Sequence, residues 1–118
     1  MAGPNHSCGV VAIAADYDVA SDLYTALMII QHRGQESAGI SVYNGASIAT
    51  VKGLGLVNDA IPMDSLSKLS GKSGIGHVRY STMGAGGYDN AQPLNVATSI
   101  GEISIAHNGE LTNYIELK

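Results

Sequence analysis

Residues 9–15 read GVVAIAA, a continuous apolar run of the length of one β-strand. An unbroken apolar run is typical of a strand that is covered on both faces. Cys8 precedes this run and therefore stands at the leading end of a strand that we expect to be buried. The chain has 15 Gly and neither Trp nor Phe. We therefore expect a core of Ala, Val, Ile and Leu, packed in close layers as in sheet proteins.

The next segment predicts an α-helix. Asp18 is suited to be its N-cap, and Gly34 stands where the C′ glycine of a helix is expected. The residues between them include apolar side chains at helical spacing, namely Val19, Leu23, Ala26, Leu27 and Ile30.

A β-hairpin is predicted after the helix. Apolar residues at positions 38, 40 and 42 alternate with residues 39, 41 and 43, and residues 48–51 lead back. Between these two strands, Asn44 and Gly45 favour a two-residue type I′ turn, in which both residues adopt positive φ.

Two further elements are predicted in the middle of the chain. Leu66 and Leu69 lie between Pro62 and a glycine, which indicates a short helix begun by proline. Residues 75–80 predict a strand in which Ile75, His77 and Arg79 share one face and the alternate residues share the other. A basic face on a central strand requires a ligand or a partner.

The last part of the chain predicts a glycine-rich loop, a strand and the start of a helix. Residues 83–90 form the loop, and the strand carries Ile103, Ile105 and His107 on one face before a turn at Asn108. From residue 111 a helical repeat begins and meets no stop signal, so we expect the full protein to continue.

Charge and composition exclude several classes of protein. Six basic against ten acidic residues give a net charge of −4, which argues against a nucleic-acid partner. The single cysteine excludes an internal disulfide and a four-cysteine metal site. No apolar run approaches the about 20 residues of a membrane helix, and residues 1–7 lack the pattern of a secretion signal. We expect a soluble, cytoplasmic protein.

Cys8 has two interpretations. A free cysteine is usually a small buried apolar residue. If the bond between Ser7 and Cys8 is cleaved, however, the thiol belongs to the N-terminal residue and lies beside its own α-amine. An α-amine titrates slightly above neutral pH, so part of it is uncharged and can take the thiol proton. Cys8 would then be a nucleophile.

The polar segment at residues 31–37 and the strand at residues 76–82 hold further candidates, each with a structural alternative. His32 and Arg33 either satisfy the last carbonyls of the helix or belong to a site. Arg79 is either half of an ion pair at a sheet edge or a bidentate ligand of a carboxylate, with a hydroxyl from Ser81 or Thr82.

Asn108 and Gly109 either form only a turn or supply two donors to a developing oxyanion. The side-chain amide of Asn108 and the backbone N–H of Gly109 are the two donors. Without Cys8 as a nucleophile, this pair would have no catalytic meaning.

Five motifs in one order carry a family resemblance. They are CGVV at residues 8–11, QHRGQESAGI at 31–40, GHVRYST at 76–82, NAQP at 90–93 and HNG at 107–109. In this order they resemble the N-terminal-nucleophile glutamine amidotransferases, and the resemblance covers nearly the whole chain. Relatives that aminate sugar phosphates typically have Trp after the strand arginine and His in place of Gln92. Tyr80 and Gln92 therefore favour the phosphoribosyl branch of the family.

The resemblance implies a glutaminase. Residues 1–7 would be a prosegment removed by autocatalysis, and residues 8–118 the N-terminal part of a type 2 glutamine amidotransferase domain. The Cys8 thiolate would attack the side-chain amide of glutamine, release ammonia and leave a glutamyl thioester for water to hydrolyse. Asn108 and Gly109 would form the oxyanion hole, and Arg79 would bind the α-carboxylate of glutamine. The rest of the pocket would consist of Arg33, Gly34, Tyr80, Ser81 and Thr82.

The resemblance also implies a fold and partners. The family fold is an α+β, four-layer αββα sandwich, of which these residues would supply an incomplete part. A phosphoribosyltransferase domain, absent here, would use Mg²⁺ and pass ammonia to phosphoribosyl pyrophosphate. We expect no cofactor or metal in this segment, a homo-oligomer at full length, and an unstable, inactive fragment. Two alternatives stay open: a sugar-phosphate acceptor, and a non-catalytic module that binds glutamine.

Overall fold

The structure is a computed structural model that describes residues 9–31, 35–80, 91–99 and 101–106. Six strands and three helices follow one another in this part of the chain. They are β1 (Gly9–Ala14), α1 (Ala20–Ile30), β2 (Gln35–Tyr43), β3 (Ile48–Leu54), α2 (Val57–Ala60), α3 (Met63–Leu66), β4 (Ser73–Tyr80), β5 (Leu94–Thr98) and β6 (Gly101–Ile105). Strands β1–β4 form one antiparallel sheet in the order β1-β4-β2-β3, and β5 pairs with β6.

Strand β1 lies at an edge of the four-stranded sheet. Its side chains alternate between half-buried positions at residues 9, 11 and 13 and exposed positions at residues 10, 12 and 14. Val10 is 42% exposed. The predicted coverage of both faces is therefore wrong for the described structure. Helix α1 packs against only one face of the sheet, and an apolar run does not reveal how many faces are covered.

Helix α1 covers one face of the sheet because two glycines of β4 let it approach closely. A Cβ atom on Gly76 would lie 3.1 Å from Cδ1 of Leu27, and a Cβ atom on Gly74 would lie 2.9 Å from Cδ1 of Leu23. The core lies between this helix, α2, α3 and the sheet. Its buried apolar residues include Val19, Leu23, Leu27, Ala38, Ile40, Val42, Val57, Ile61, Leu66 and Val78.

Both predicted caps of α1 are wrong. The N-cap is Val19, and it makes no side-chain capping bond. The carboxylate of Asp18 instead accepts a hydrogen bond of 3.2 Å from the backbone N–H of Gly71, so it ties the helix entry to the start of β4. At the other end, the C-cap is Gln31 with an extended backbone. Gly34 is therefore too far along the chain to be the C′ residue.

The hairpin of β2 and β3 confirms the predicted alternation but not the predicted turn. Among the described residues no side-chain-bearing residue has positive φ, and in this turn only Gly45 has one, at 98°. The turn spans residues 44–47. Oδ1 of Asn44 accepts bonds from the backbone N–H groups of Ala46 (2.8 Å) and Ser47 (2.9 Å). An Asx turn therefore replaces the type I′ geometry.

Two short helices connect β3 to β4. Pro62 is the N-cap of α3, as the sequence suggested, but the helix ends at Leu66, and Leu69 is buried beyond it. Helix α2 was not predicted, and the side-chain oxygen of Gln31 accepts a 2.9 Å bond from the backbone N–H of its first residue, Val57. Of the helices in the described ranges, none is long and apolar enough to cross a membrane.

The second face of the sheet is covered in part by residues 91–93 and by the hairpin of β5 and β6. The side-chain amide of Asn95 donates a 2.8 Å bond to the Thr50 hydroxyl of β3. Strand β5 was not predicted, whereas β6 contains the predicted Ile103 and Ile105. Both isoleucines are more than one-third exposed. This hairpin therefore presents apolar surface.

Candidate functional site

Strand β4 lies in the middle of the sheet, and its register sets which side chains meet on the second face. Ser37 of β2 pairs with Arg79, while Gly39 of β2 and Val10 of β1 pair with His77. Paired residues of antiparallel strands project to the same face. The structure thus confirms that His77 and Arg79 share a face, with the wholly buried His77 between residues of both neighbouring strands.

Arg79 forms an ion pair near the end of β4. Its Nε atom donates to Oε1 of Glu36 at 3.3 Å, and the two side chains are 24% and 13% exposed. The ion pair that is the alternative to carboxylate binding therefore exists, although on a central strand and not at a sheet edge. A guanidinium has five N–H donors, and Nε supplies only one of them. The two terminal nitrogens carry the other four, so an ion pair and carboxylate binding are compatible.

Glu36 occupies a β-bulge in β2. Gln35 pairs with Tyr80 and Ser37 with Arg79, so Glu36 is an extra residue without a partner position in β4. The backbone carbonyl of Glu36 accepts a 2.8 Å bond from the N–H of Gly55. Bulges re-aim a side chain beside a site, and this one directs the Glu36 carboxylate to Arg79. Sequence reasoning included Glu36 in a polar segment but gave it no role.

Two other polar residues lie close to this pair in the sheet. The Ser37 hydroxyl is buried and has no hydrogen-bond partner in the part of the chain that the structure describes. Tyr80 is also buried, and its hydroxyl donates to the carbonyl oxygen of Ile30 at 3.4 Å. Tyr80 therefore projects toward α1 on the first face. The structure does not bring its side chain together with Arg79.

Most predicted site residues lie outside the described ranges. Gly9, which is covalently bonded to Cys8, pairs with Val78, which is covalently bonded to Arg79. The described end of β1 and Arg79 thus belong to the same end of the sheet. The predicted site residues outside the description are Cys8, Arg33, Gly34, Ser81, Thr82, Asn108 and Gly109, as is the loop predicted at 83–90.

Lys52 anchors the segment that follows residue 90. Its Nζ atom donates to the carbonyl oxygens of Ala91 (2.9 Å) and Pro93 (3.1 Å). The bond between Gln92 and Pro93 is cis. Beneath it lies Gly39, where a Cβ atom would overlap the carbonyl oxygen of Gln92. Sequence reasoning missed Lys52, because no local pattern connects it to residues so distant in the chain.

The remaining features lie apart from Arg79. A cavity of about 580 Å³ with mostly apolar walls lies near the first residues of β4, between Ala12, Tyr43 and Ile103. The hydrogen bond to the Asp22 carboxylate raises the pKa of the Tyr17 hydroxyl, and the negative charge of Asp22 adds to this effect. Within the described residues, no group of three or more His, Cys, Asp or Glu could hold a metal ion.

Comparisons with curated proteins show relatives over nearly the whole chain. No family model matches the chain. The chain is 49% identical to the amidophosphoribosyltransferase of Methanothermobacter thermautotrophicus over 94% of its own length. It is 44% identical to the Bacillus subtilis enzyme of the same name over 98% of its length. It spans 24% and 25% of these two relatives.

Solved structures agree with the sequence comparison. One, described as the allosteric regulatory enzyme of purine biosynthesis, matches with a TM-score of 0.82 at 40% identity. A second, glutamine phosphoribosylpyrophosphate amidotransferase from B. subtilis with ADP and GMP, matches with a TM-score of 0.78 at 38% identity. Each match covers 94% of this chain and about a quarter of the other.

These matches identify the class of protein. The antiparallel sheets and helices form an α+β fold that matches both solved structures and is consistent with a domain of the N-terminal-nucleophile type. Within that class, the chain is homologous to amidophosphoribosyltransferases and corresponds to about a quarter of their length.

Proposed function

We propose that this chain is the glutaminase part of an enzyme that makes 5-phosphoribosylamine, the product of the first step of purine biosynthesis. The single observation that carries the proposal is the 49% identity to an amidophosphoribosyltransferase over 94% of the chain. The geometry supports it, because Arg79 lies at the end of the sheet from which β1 leads back to Cys8.

In the proposed reaction, removal of residues 1–7 exposes the α-amine of Cys8. The uncharged amine accepts the thiol proton, and the sulfur attacks the side-chain carbonyl carbon of glutamine. The carbon–nitrogen bond breaks, and nitrogen leaves with a proton as ammonia. Water then cleaves the thioester, which releases glutamate and restores the thiol.

The other residues bind glutamine and stabilise charge. Arg79 binds the α-carboxylate through its terminal nitrogens, because a guanidinium and a carboxylate form two parallel hydrogen bonds. Ser81 and Thr82 add hydroxyls to this contact, and Arg33 and Gly34 line the pocket around the thiol. Asn108 and Gly109 donate to the oxyanion that forms when sulfur attacks. Loss of one such donor typically reduces the rate by about 10²–10³.

The acceptor chemistry belongs to parts of the protein outside these residues. There, phosphoribosyl pyrophosphate and Mg²⁺ bind, and ammonia displaces pyrophosphate at the sugar carbon. The proposal places the whole protein in the cytoplasm as a homo-oligomer without nucleic-acid or membrane partners.

The test uses the protein at its full natural length. Intact-mass measurement is expected to show a chain that begins at Cys8, and a glutamine-like diazoketone is expected to alkylate that thiol. Cys8→Ala is expected to abolish glutamine-dependent synthesis and to spare synthesis driven by free ammonia, since only ammonia release needs the thiol.

Three results would contradict this proposal. Unprocessed, unlabelled protein would indicate a module that binds glutamine without catalysis. Amination of a sugar phosphate in place of phosphoribosyl pyrophosphate would indicate a different acceptor. Equal loss of both activities in Cys8→Ala would show that Cys8 has a structural role.

A further inference from the structure

We propose that Glu36 is a positioning residue that fixes Arg79 for glutamine. Its carboxylate holds the Nε edge of the guanidinium, so that the two terminal nitrogens face the α-carboxylate of the substrate. This inference rests on the proposed function and adds a residue to which no role in the site had been given.

The backbone of β2 holds Glu36 in place. The bulge between Gln35 and Ser37 leaves Glu36 outside the regular pairing with β4. The direction of its side chain is therefore not set by the up-and-down alternation of the strand. Its carbonyl oxygen accepts a 2.8 Å bond from the N–H of Gly55, just after β3. The Glu36 side chain is only 13% exposed. A residue held in this way can serve as a fixed support.

The contact with Arg79 determines which edge of the guanidinium stays available. An arginine can bind a carboxylate with two hydrogen bonds either through Nε and one terminal nitrogen, or through both terminal nitrogens. The Glu36 carboxylate occupies the Nε edge at 3.3 Å. Only the second mode then remains for a ligand. The Arg79 side chain is 24% exposed, which leaves it within reach of a small molecule.

The charges favour this arrangement. Glu36 compensates part of the Arg79 charge, which reduces the cost of keeping a guanidinium in a partly buried place. A flexible arginine side chain loses rotamer freedom when it binds a ligand. Because the ion pair already orders the side chain, glutamine does not have to provide that ordering. The expected consequence of losing Glu36 is therefore weaker glutamine binding with unchanged chemistry at the thiol.

The experiment compares three variants of Glu36 in the full-length protein. Glu36→Ala removes the support, and we expect the KM for glutamine to rise about tenfold, which corresponds to about 1.4 kcal/mol and lies at the low end of the range for a hydrogen bond to a charged group. Glu36→Gln keeps an oxygen that accepts from Nε, and we expect it to restore most of the affinity. Glu36→Asp withdraws the carboxylate by one methylene and is expected to resemble Glu36→Ala. In all three variants, kcat is expected to change little.

Thiol labelling separates positioning from a general structural role. The diazoketone has an α-carboxylate and depends on Arg79, whereas iodoacetamide has none. Glu36→Ala is expected to slow alkylation by the diazoketone about tenfold and to leave alkylation by iodoacetamide and ammonia-driven synthesis unchanged. Glu102→Gln, on the exposed surface of β6, is the control for loss of one negative charge.

The outcomes separate this inference from the proposed function. If the unaltered protein neither uses glutamine nor reacts with the diazoketone, the proposed function is wrong. If it does both, and Glu36→Ala leaves KM unchanged or lowers it, Glu36 is only a competing anion and the inference is wrong. Parallel loss of iodoacetamide reactivity and ammonia-driven synthesis would show a structural role and would also overturn the inference.

Discussion

Lys52 is expected to hold the segment after residue 90 on the sheet, and Lys52→Met tests this. The substitution keeps an unbranched side chain that packs on Gly39 but removes the ammonium group. The carbonyl oxygens of Ala91 and Pro93 then lose their bonds of 2.9 and 3.1 Å. Because these bonds join β3 to the segment that leads into β5, their loss should loosen this segment and leave the four-stranded sheet intact.

The free energy lost in Lys52→Met follows from the two hydrogen bonds of the ammonium group. A hydrogen bond to a charged group contributes about 1.5–3 kcal/mol. Both bonds are only partly buried, so water can replace them in part, and we expect a combined loss of about 2 kcal/mol, less than the sum of two full contributions. Since about 1.4 kcal/mol is a factor of ten, the population of the locally open state should rise about 30-fold.

Hydrogen exchange followed by mass spectrometry measures this opening. In Lys52→Met, peptides that cover β5 and β6 should exchange about 30-fold faster, while peptides of α1 and β4 should be unchanged. Lys68→Met, at an exposed position after α3, is the matched control and should change neither set. Unchanged exchange in β5 would refute the anchoring role. Equal acceleration everywhere would show that Lys52 stabilises the whole fold.

Three further predictions concern the fold. Leu27→Ala should lower the free energy of unfolding in urea by about 2–5 kcal/mol, because it opens a cavity above β4, whereas Ile29→Ala at an exposed position of the same helix should cost far less. Gly39→Ala should destabilise by about 1–3 kcal/mol or more, because its Cβ would overlap a backbone carbonyl that cannot rotate away; unchanged thermal stability would contradict the close approach. Asp22→Asn should lower the pKa of Tyr17 toward its ordinary value, since the hydrogen bond to the carboxylate and its negative charge are both lost, and a tyrosine titration corrected with Tyr17→Phe measures this shift.

The elements that the sequence predicted well are those with a local period. The alternation in β2 and β4 and the helical spacing in α1 come from neighbouring residues that face one core. Strand β5 has no such pattern, because every residue in it is exposed. Helix α2 has only four residues, which is too short to display a helical repeat.

The wrong predictions arose where a side chain binds a backbone group other than the one that its residue type favours. Asp18 has the side chain of an N-cap, but the backbone of Gly71 takes its carboxylate. Asn44 has the preference for positive φ that a type I′ turn requires, but its side chain binds Ala46 and Ser47 instead. In both cases the residue type was informative and its partner was not foreseeable.

In the candidate site, too, contacts between residues distant in sequence could not be predicted. Arg79 could be singled out because a basic residue on a central strand is unusual. Glu36 lies 43 positions away from it in sequence, and Lys52 lies 39 positions from Ala91. The register between β2 and β4 brings Glu36 to Arg79, and the packing of residues 91–93 on the sheet brings Ala91 to Lys52.

The strand order β1-β4-β2-β3 has a consequence for how the protein is made. Strands β2 and β3 are neighbours along the chain and can pair as soon as they leave the ribosome. Strand β1 is synthesised first, yet its only partner strand in the described sheet is β4, which ends at Tyr80. Pairing of strands distant in sequence is slow, because the long loop between them must close first. The N-terminal strand is therefore expected to join this sheet only after β4 has been translated.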